Sequence, residues 1–155
     1  MKKQGLLNSG LLRALGNLTH GDIVVISDAG MPVPEGAEKI DLAIVPDYPE
    51  ITQVLKAFLE EFIYEKVVVA SEQKENNPLL YSKVNSIIKR CPITLAPHSE
   101  FLEDMVSRAK YVIRTGSFEP WGNILLVSGI DAPLWFAKEG VKVPEEYEER
   151  VKVSL

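Results

Sequence analysis

Residues 51–71 read Ile-Thr-Gln-Val-Leu-Lys-Ala-Phe-Leu-Glu-Glu-Phe-Ile-Tyr-Glu-Lys-Val-Val-Val-Ala-Ser, and this stretch decides the fold because it contains two different patterns. In its first part, apolar residues recur every three or four positions, which predicts an amphipathic helix with one buried face. That face carries Ile51, Val54, Leu55, Phe58, Leu59 and Phe62. In its last part, Val67-Val68-Val69-Ala70 shows no alternation, so the strand predicted at Lys66–Ser71 belongs to a sheet covered on both faces.

The same two patterns recur on either side of this stretch. Further strands are predicted at Ile23–Ser27, Leu42–Val45, Ile93–Leu95, Tyr111–Arg114 and Asn123–Ser128. Further helices are predicted to start at Asn8 or Ser9, at Asn77-Pro78 and near Ser99. Because strands and helices alternate, the predicted fold class is α/β, a three-layer α/β/α sandwich around a largely parallel sheet of about six strands.

Residues 130–155 differ in composition from the rest of the chain. They contain Trp135 and Phe136, followed by the charge-rich run from Pro144 to Arg150. We therefore expect a single domain with a core at 1–129 and a C-terminal extension at 130–155. The extension is expected to pack either on its own core or on a neighbouring subunit, because its apolar residues exceed what a complete core needs.

Composition and charge exclude several classes of protein. The chain has 155 residues and a net charge of −5, whereas nucleic-acid binding needs a basic face. Cys91 is the only cysteine, which rules out an internal disulfide and suits a reducing cytoplasm. The apolar stretch after Lys3 is interrupted by polar residues, so no signal peptide is expected. No run reaches the ~20 apolar residues of a membrane helix, so no membrane partner is expected.

Familiar cofactor motifs are missing as well. The chain has neither GxGxxG after its first strand nor GxxxxGK[ST], and it has no HExxH and no G-x-S-x-G. We therefore expect neither a metal nor another cofactor, and we expect side chains alone to carry the chemistry.

Two histidines are the natural candidates for proton transfer. His20 follows the first predicted helix, whose carboxyl end favours imidazolium, and this position suits a proton donor. His98 precedes the fourth predicted helix, whose amino end favours the neutral ring. Each histidine has a structural alternative as a surface or capping residue.

Three further residues are candidates for binding a polar ligand. Asp28 ends the first predicted strand, where ligands of open α/β sheets gather, and a carboxylate accepts sugar hydroxyls there. Trp121 and Asn123 combine an aromatic plate with an amide, which suits a sugar ring and its hydroxyls. The alternatives are a turn aspartate, a buried tryptophan and a turn asparagine.

Taken together, the chain from Met1 to about Gly129 resembles the ribose pyranase and fucose mutarotase family. The resemblance rests on a colinear set of segments: Lys2–Ser9, Thr19–Asp22, Asp28–Pro34, Lys39–Leu42, His98–Phe101 and Arg114–Asn123. It implies that His20 is the general acid and that the other site residues bind the sugar, namely Asp28, His98, Trp121, Gly122 and Asn123. It also implies a homo-oligomer, either a pentamer or a pair of pentamers.

Three positions depart from the family pattern. Trp121 replaces a tyrosine, Leu102 replaces a common lysine, and Gly122 is typical of the fucose branch. The string Asp28–Pro34 and His98 are typical of the ribose branch.

The resemblance implies a cytoplasmic sugar mutarotase that interconverts the pyranose and furanose forms of D-ribose. Ring opening needs a proton on the ring oxygen while the anomeric hydroxyl loses one, and closure on O4 then forms the furanose. General acid–base catalysis supplies about 10²–10⁴-fold, which suffices without a cofactor. The alternatives are a fucose-type mutarotase and a non-catalytic sugar-binding or transport-accessory protein.

Overall fold

The computed structural model describes residues 2–153, and a six-stranded sheet lies at the centre of this part of the chain. The strands are β1 (Ile23–Ser27), β2 (Glu38–Asp41), β3 (Tyr64–Ala70), β4 (Ile93–Ala96), β5 (Tyr111–Arg114) and β6 (Ile124–Ser128). Their order is β2-β5-β1-β6-β3-β4. Strand β6 runs antiparallel to both of its neighbours, and the other neighbouring pairs are parallel. The prediction of a largely parallel sheet is confirmed.

Six α-helical segments connect and extend these strands within residues 2–153. They are α1 (Ser9–Asn17), α2 (Ile51–Leu59), α3 (Ser71–Asn76), α4 (Pro78–Ile87), α5 (His98–Glu100) and α6 (Ala132–Phe136). A π-helical turn at Phe101–Met105 and a 3₁₀ turn at Val106–Arg108 continue α5. Of the two candidates for the start of the first helix, the side chain of Asn8 caps α1, and the side chain of Asn77 caps α4 as predicted; each accepts a backbone N–H group. None of the helices between residues 2 and 153 has the length and apolarity that a membrane span requires.

Helices cover both faces of the sheet, which confirms the three-layer sandwich. Val67 and Val69 lie in a large core cluster with residues of α1, α2 and α4. Val68, between them, lies in a second cluster with Phe101 and Val106 of the segment that follows β4. Because successive side chains of a strand point to opposite faces, an unbroken valine run is what a doubly covered strand requires.

The strand predicted at Leu42–Val45 is wrong, since β2 occupies Glu38–Asp41 instead. At the edge of the sheet, β2 buries Ile40, which is in register with Ile113 of β5, and its other residues are not buried. A polar strand suffices there, because a single apolar side chain covers the face that is buried. The more apolar run after β2 forms a loop in which Ile44 is 71% exposed.

Smaller differences occur at element ends. Helix α2 ends at Leu59, and Phe62 is buried beyond it. Helix α3 was not predicted, because its sequence has no apolar face and the residue it buries is Gln73. Strand β6 begins at Ile124, which leaves Asn123 in the preceding loop.

The described part of the extension, residues 130–153, contains α6 and two 3₁₀ turns at Glu145–Tyr147 and Arg150–Lys152. Its chain folds back so that the rings of Phe136 and Tyr147 lie 5.0 Å apart. It also contacts the core of its own chain, since Arg150 binds Glu65 of β3. Four of its apolar residues remain exposed: Leu134, Trp135, Val141 and Val143.

Candidate active site

Asp28 and Asn123 form a reciprocal pair where the end of β1 meets the start of its antiparallel neighbour β6. The Asp28 backbone N–H donates to Asn123 Oδ1 at 3.0 Å, and Asn123 Nδ2 donates to Asp28 Oδ2 at 3.0 Å. Asn123 is only 4% exposed. Both ends of its amide are engaged by Asp28, so Asn123 holds the carboxylate in place.

The Asp28 carboxylate faces a pocket that is open to solvent. Its Oδ1 accepts the Gly30 N–H at 2.8 Å, so each carboxylate oxygen has one protein donor and further acceptor capacity. Arg114, Ser117 and Phe118 lie along the same pocket. A carboxylate with free lone pairs in an open pocket is suited to accept hydroxyl groups of a ligand.

Arg114 ties the loops around this pocket together. Its Nε donates to the Ala29 carbonyl at 2.9 Å, and its Nη1 lies 3.0 Å from Asp41 Oδ2. Burial alone would raise the pKa of Asp41, but hydrogen bonds from the Ala43 N–H and from Arg114 outweigh it and lower that pKa. Asp41 therefore stays ionised beside Arg114 at neutral pH.

Trp121 and Gly122 place Asn123 against Asp28. Trp121 has a φ of 54°, and its carbonyl accepts a 2.7 Å hydrogen bond from the buried side chain of Gln73. A Cβ on Gly122 would lie 2.7 Å from the Glu119 carbonyl oxygen and 3.5 Å from Asp28 Cβ. The contact with Asp28 is an ordinary one, whereas the contact with the Glu119 carbonyl leaves no room for a side chain, so this turn requires glycine.

His98 lies at the same end of the sheet as Asp28, where β4 finishes. We call this end, beyond the last residues of the parallel strands, the carboxyl edge. Its backbone N–H donates to the carboxylate of Glu72, at 3.0 Å to Oε2. Strand β4 is three strands from β1, which at about 4.8 Å per strand separates their axes by about 14 Å. Helix α3 bridges this gap, because Glu72 binds His98 and Gln73 binds Trp121.

Glu72 is held ionised at this position. A hydrogen bond from its own backbone lowers its pKa, and bonds from Ser71 and from the His98 N–H add to that effect against the opposing influence of burial. The negative charge next to the His98 backbone anchors the start of α5.

His20 lies at the opposite end of the sheet, before the first residues of the parallel strands, which we call the amino edge. The residue after it, Gly21, donates its N–H to the carbonyl of Ser128 at the end of β6. Strand β1 alone separates this edge from Asp28 by about 15 Å. Within one chain, the structure therefore groups Asp28, Gly122 and Asn123 and leaves His20 apart from them.

His20 is positioned by a charged turn at residues 19–22 and not by the end of α1. Helix α1 ends at Asn17, and Asp22 then accepts hydrogen bonds from the Thr19 N–H and hydroxyl and from Lys110 Nζ. Burial alone would raise the pKa of Asp22, but the bonds from Lys110 and Thr19 outweigh it and lower that pKa. The His20 ring itself contacts Glu65, with 2.9 Å between Nε2 and Oε2.

The sequence did not predict that Glu72, Gln73 and Arg114 support the carboxyl edge. It also did not predict that Glu65 contacts His20 at the amino edge. Glu72 and Gln73 follow the predicted strand Lys66–Ser71 directly, and the rule that ligands gather beyond strand ends could have found them. Glu65 carries no such signal, because it lies at the beginning of β3 and not beyond its carboxyl end. Among residues 2–153, no cluster of three or more histidine, cysteine or acidic side chains is arranged to hold a metal ion.

The fold and the carboxyl-edge cluster define an α/β protein with a polar-ligand pocket beyond the ends of its strands. Residues 1–131 match the model of the RbsD / FucU transport protein family, and the chain belongs to that family.

Relatives support both the family and the fold. "D-ribose pyranase 2" of Rubrobacter xylanophilus is 45% identical over 97% of each chain. The structure of Bacillus subtilis RbsD complexed with D-ribose matches with a TM-score of 0.80 and 40% identity, over 84% of this chain and 98% of that one. The fucose mutarotase of Streptococcus pneumoniae, in complex with L-fucose, matches at 21% identity over 79% of this chain and 93% of that one. Its TM-score is 0.62, which shows a shared fold.

Proposed function

We propose that this protein is a D-ribose pyranase, an isomerase that interconverts the pyranose and furanose forms of D-ribose. The observation that carries the proposal is the 45% identity to a D-ribose pyranase over almost the whole length of both chains. The ribose complex of the 40% identical RbsD structure supports ribose as the sugar. A cytoplasmic location belongs to the proposal and is supported by the single cysteine, Cys91, which is a free thiol.

In this proposal, the carboxyl edge binds the sugar. Asp28, oriented by Asn123, accepts ring hydroxyls, and the Trp121 indole covers an apolar C–H face of the ring. Gly122 allows the turn that places Asn123 against Asp28. The family resemblance also assigns His98 to the sugar, and because its strand β4 lies about 14 Å from β1, this assignment rests on the resemblance alone. These assignments are the ones that the family resemblance implies.

His20 is the proposed general acid. It delivers a proton to the ring oxygen as the bond between that oxygen and the anomeric carbon breaks and the anomeric hydroxyl passes its proton to water. Closure of O4 on the resulting aldehyde forms the furanose. Proton transfer of this kind contributes about 10²–10⁴-fold to a rate.

The distance between His20 and Asp28 makes a second copy of the chain part of the proposal. One strand length, about 15 Å, is too far for His20 to reach a sugar held by Asp28 of the same chain. We infer that His20 of one copy meets Asp28 of the next in a head-to-tail ring, a pentamer or a pair of pentamers. Head-to-tail contacts close into rings when the rotation permits.

Exposed apolar residues near both edges support such contacts. At the carboxyl edge, the loops 43–49 and 115–119 are bonded to each other and expose Ile44, Val45, Tyr48 and Phe118. The extension exposes Leu134 and Trp135. Apolar groups of this size on a surface mark contacts. The extension, within the single domain, is thus proposed to pack on its own β3 and to offer its outer side to a neighbour.

Saturation-transfer NMR tests the activity directly. Wild-type protein is expected to accelerate exchange between β-pyranose and β-furanose ribose above the buffer rate. A panel of aldoses in the same assay tests the sugar. Exchange confined to fucose would contradict the ribose assignment, and no exchange with any sugar would contradict an isomerase.

Subunit complementation tests the shared site. His20→Gln and Asp28→Asn variants are each expected to be inactive, and mixed oligomers refolded from both are expected to regain exchange. No recovery in mixed oligomers, or a monomer by light scattering at micromolar concentration, would contradict the shared site. Truncation after Gly129 tests the extension, and retention of full assembly and activity would assign it no part in either.

A second candidate function is non-catalytic sugar binding. The observation that favours it is the grouping of Asp28 and Asn123 without His20 in one chain. Such a protein would bind ribose in calorimetry and leave its exchange rate at the buffer value.

A further inference from the structure

The C-terminal extension reaches the proposed acid through a single carboxylate oxygen. Arg150 Nη1 lies 2.7 Å from Glu65 Oε2, and His20 Nε2 lies 2.9 Å from the same atom. The Glu65 side chain is 18% exposed, whereas His20 is 41% exposed. Glu65 is therefore the partly buried centre of a three-residue cluster whose other two members approach it from opposite parts of the chain.

The extension holds the Arg150 side chain on more than one side. The guanidinium lies 4.9 Å from the centroid of the Tyr147 ring, and that ring packs against Phe136 of α6. Ile130 and Val153 of the extension line a pocket together with Glu65 and Arg150. Arginine over an aromatic face is stabilised by a cation–π interaction, so the extension presents Arg150 to Glu65 in a defined position.

The contact to Glu65 determines which nitrogen of His20 carries the proton. An ionised carboxylate only accepts hydrogen bonds, so Nε2 must donate in the neutral and in the charged imidazole. Nδ1 is then the atom that gains and loses the mobile proton. A ring whose tautomer is determined by a carboxylate on the far nitrogen is a recurring arrangement in proton transfer.

We propose that Glu65 and Arg150 are positioning residues for His20, with Glu65 directing Nδ1 toward the sugar and Arg150 holding Glu65. The inference rests on the proposed function, because it assigns a task to the proposed acid. In the step itself, the Nδ1–H bond breaks and an O–H bond forms on the ring oxygen, while the bond between that oxygen and the anomeric carbon breaks and the anomeric hydroxyl passes its proton to water. The electron pair of the broken bond stays on Nδ1, and the other ring proton stays on Nε2, hydrogen-bonded to Glu65.

Arg150 belongs to a part of the chain outside the matched family core. The family model ends at residue 131, and the ribose-complexed RbsD structure covers 84% of this chain. The Rubrobacter relative, in contrast, matches over 97% of both chains. The extension thus adds a positioning residue to a site that shorter members assemble without it.

A contribution of Arg150 to stability alone does not account for this arrangement. Ion pairs exposed to this degree contribute little to folding. The Lys152–Glu149 pair of the same extension contacts no proposed site residue and so provides a matched control. The expected effect of Arg150 is on the rate of exchange.

The first test is ¹⁵N NMR of the histidine rings in the full-length protein, which needs no activity. The neutral His20 ring is expected as the tautomer with the proton on Nε2, and Glu65→Ala is expected to give a mixture. A wild-type ring with the proton on Nδ1, or an unchanged ring in Glu65→Ala, would overturn the proposal. If wild type shows no sugar exchange, the proposed function fails while this test still decides the positioning.

The second test is the exchange rate as a function of ribose concentration. Arg150→Ala is expected to lower the maximal rate about fivefold and Glu65→Ala about tenfold or more, with half-saturating ribose changed less than twofold. Arg150→Lys is expected to restore most of the rate, because one cationic donor suffices at Oε2. Lys152→Ala is expected to match wild type.

Two outcomes of the kinetic test would overturn the role of Arg150. One is a wild-type maximal rate in Arg150→Ala. The other is an equal loss in Lys152→Ala, which would assign the effect to the docking of the extension as a whole. Thermal unfolding of each variant shows whether the extension stays folded. If the extension unfolds in Arg150→Ala, the exchange rate of Arg150→Lys decides whether Arg150 positions Glu65.

Discussion

The two edges of the sheet are built in different ways. At the carboxyl edge, buried amides hold the functional groups, since Asn123 and Gln73 are almost fully enclosed and bind Asp28 and Trp121. At the amino edge, half-exposed His20 contacts the carboxylate of Glu65, which half-exposed Arg150 of the extension also binds. Hydrogen bonds in a low dielectric are stronger and more costly to break, so we expect the carboxyl edge to be the more rigid of the two.

This difference follows from what each edge has to do in the proposed reaction. Recognition of a sugar needs donors and acceptors at defined positions before the ligand arrives, which reduces the entropic cost of binding. An acid that is supplied by another copy of the chain must instead remain accessible at the surface.

His20→Gln is expected to distinguish most clearly between the functions of the two edges, proton delivery and sugar binding. Glutamine cannot deliver a proton, so sugar exchange should fall by about 10²–10⁴-fold, while ribose binding should stay within about twofold. Saturation-transfer NMR measures the first quantity and calorimetry the second. A comparable loss of binding would contradict the separation of recognition from proton delivery.

Asp28→Asn is expected to affect binding as well as exchange. The new amide would lose the charge that receives sugar hydroxyls, and hydrogen bonds to a charged group contribute about 1.5–3 kcal/mol each. Two such bonds correspond to a loss of about 100-fold or more in ribose affinity by calorimetry. Glu60→Gln, an exposed neutralisation at the end of α2, is the control and should bind normally.

Gly122→Ala tests the rigidity of the carboxyl edge. The added Cβ would lie 2.7 Å from the Glu119 carbonyl, so the loop must move and Asn123 must shift with it. We expect a loss of stability of about 1–3 kcal/mol in urea unfolding and weaker ribose binding. Gly16→Ala, where a Cβ meets no atom within 4 Å, is the matched control. Unchanged binding in Gly122→Ala would show that this edge tolerates displacement.

Asp22→Asn and Asp41→Asn compare equivalent carboxylates at the two edges. The pKa of each is lowered in the folded protein, so each stabilises the fold above the unfolded pKa of about 3.9, and this contribution disappears as the pH falls through the folded value. Each variant should therefore be less stable than wild type at pH 7, by about 1 kcal/mol or less, and equal to it near pH 2.

Urea unfolding at both pH values and a fixed protein concentration measures the difference. Asp41→Asn should in addition weaken ribose binding, because Arg114 loses its partner beside the pocket, whereas Asp22→Asn should not. A stability difference that persists unchanged at pH 2 would contradict the assignment to these ionised groups.

The elements of the fold could be predicted where burial and local periodicity agree. The caps at Asn8 and Asn77 and the doubly covered strand β3 are examples. The prediction of β2 failed because the apolar run 42–45 is the stronger local signal. An edge strand needs one buried side chain, Ile40, and the exposed run is what a proposed neighbouring subunit would cover.

By itself, the sequence determined the fold class, the family and the residue types available for chemistry, because these are encoded in local patterns and in colinear motifs. The tertiary structure alone decided which of those residues meet. Asp28 and Asn123 are 95 positions apart and bind each other, while His20 and Asp28 are eight apart and lie at opposite edges. The physical reason is that periodicity records which face of an element is buried, whereas the order and direction of strands decide which ends share an edge.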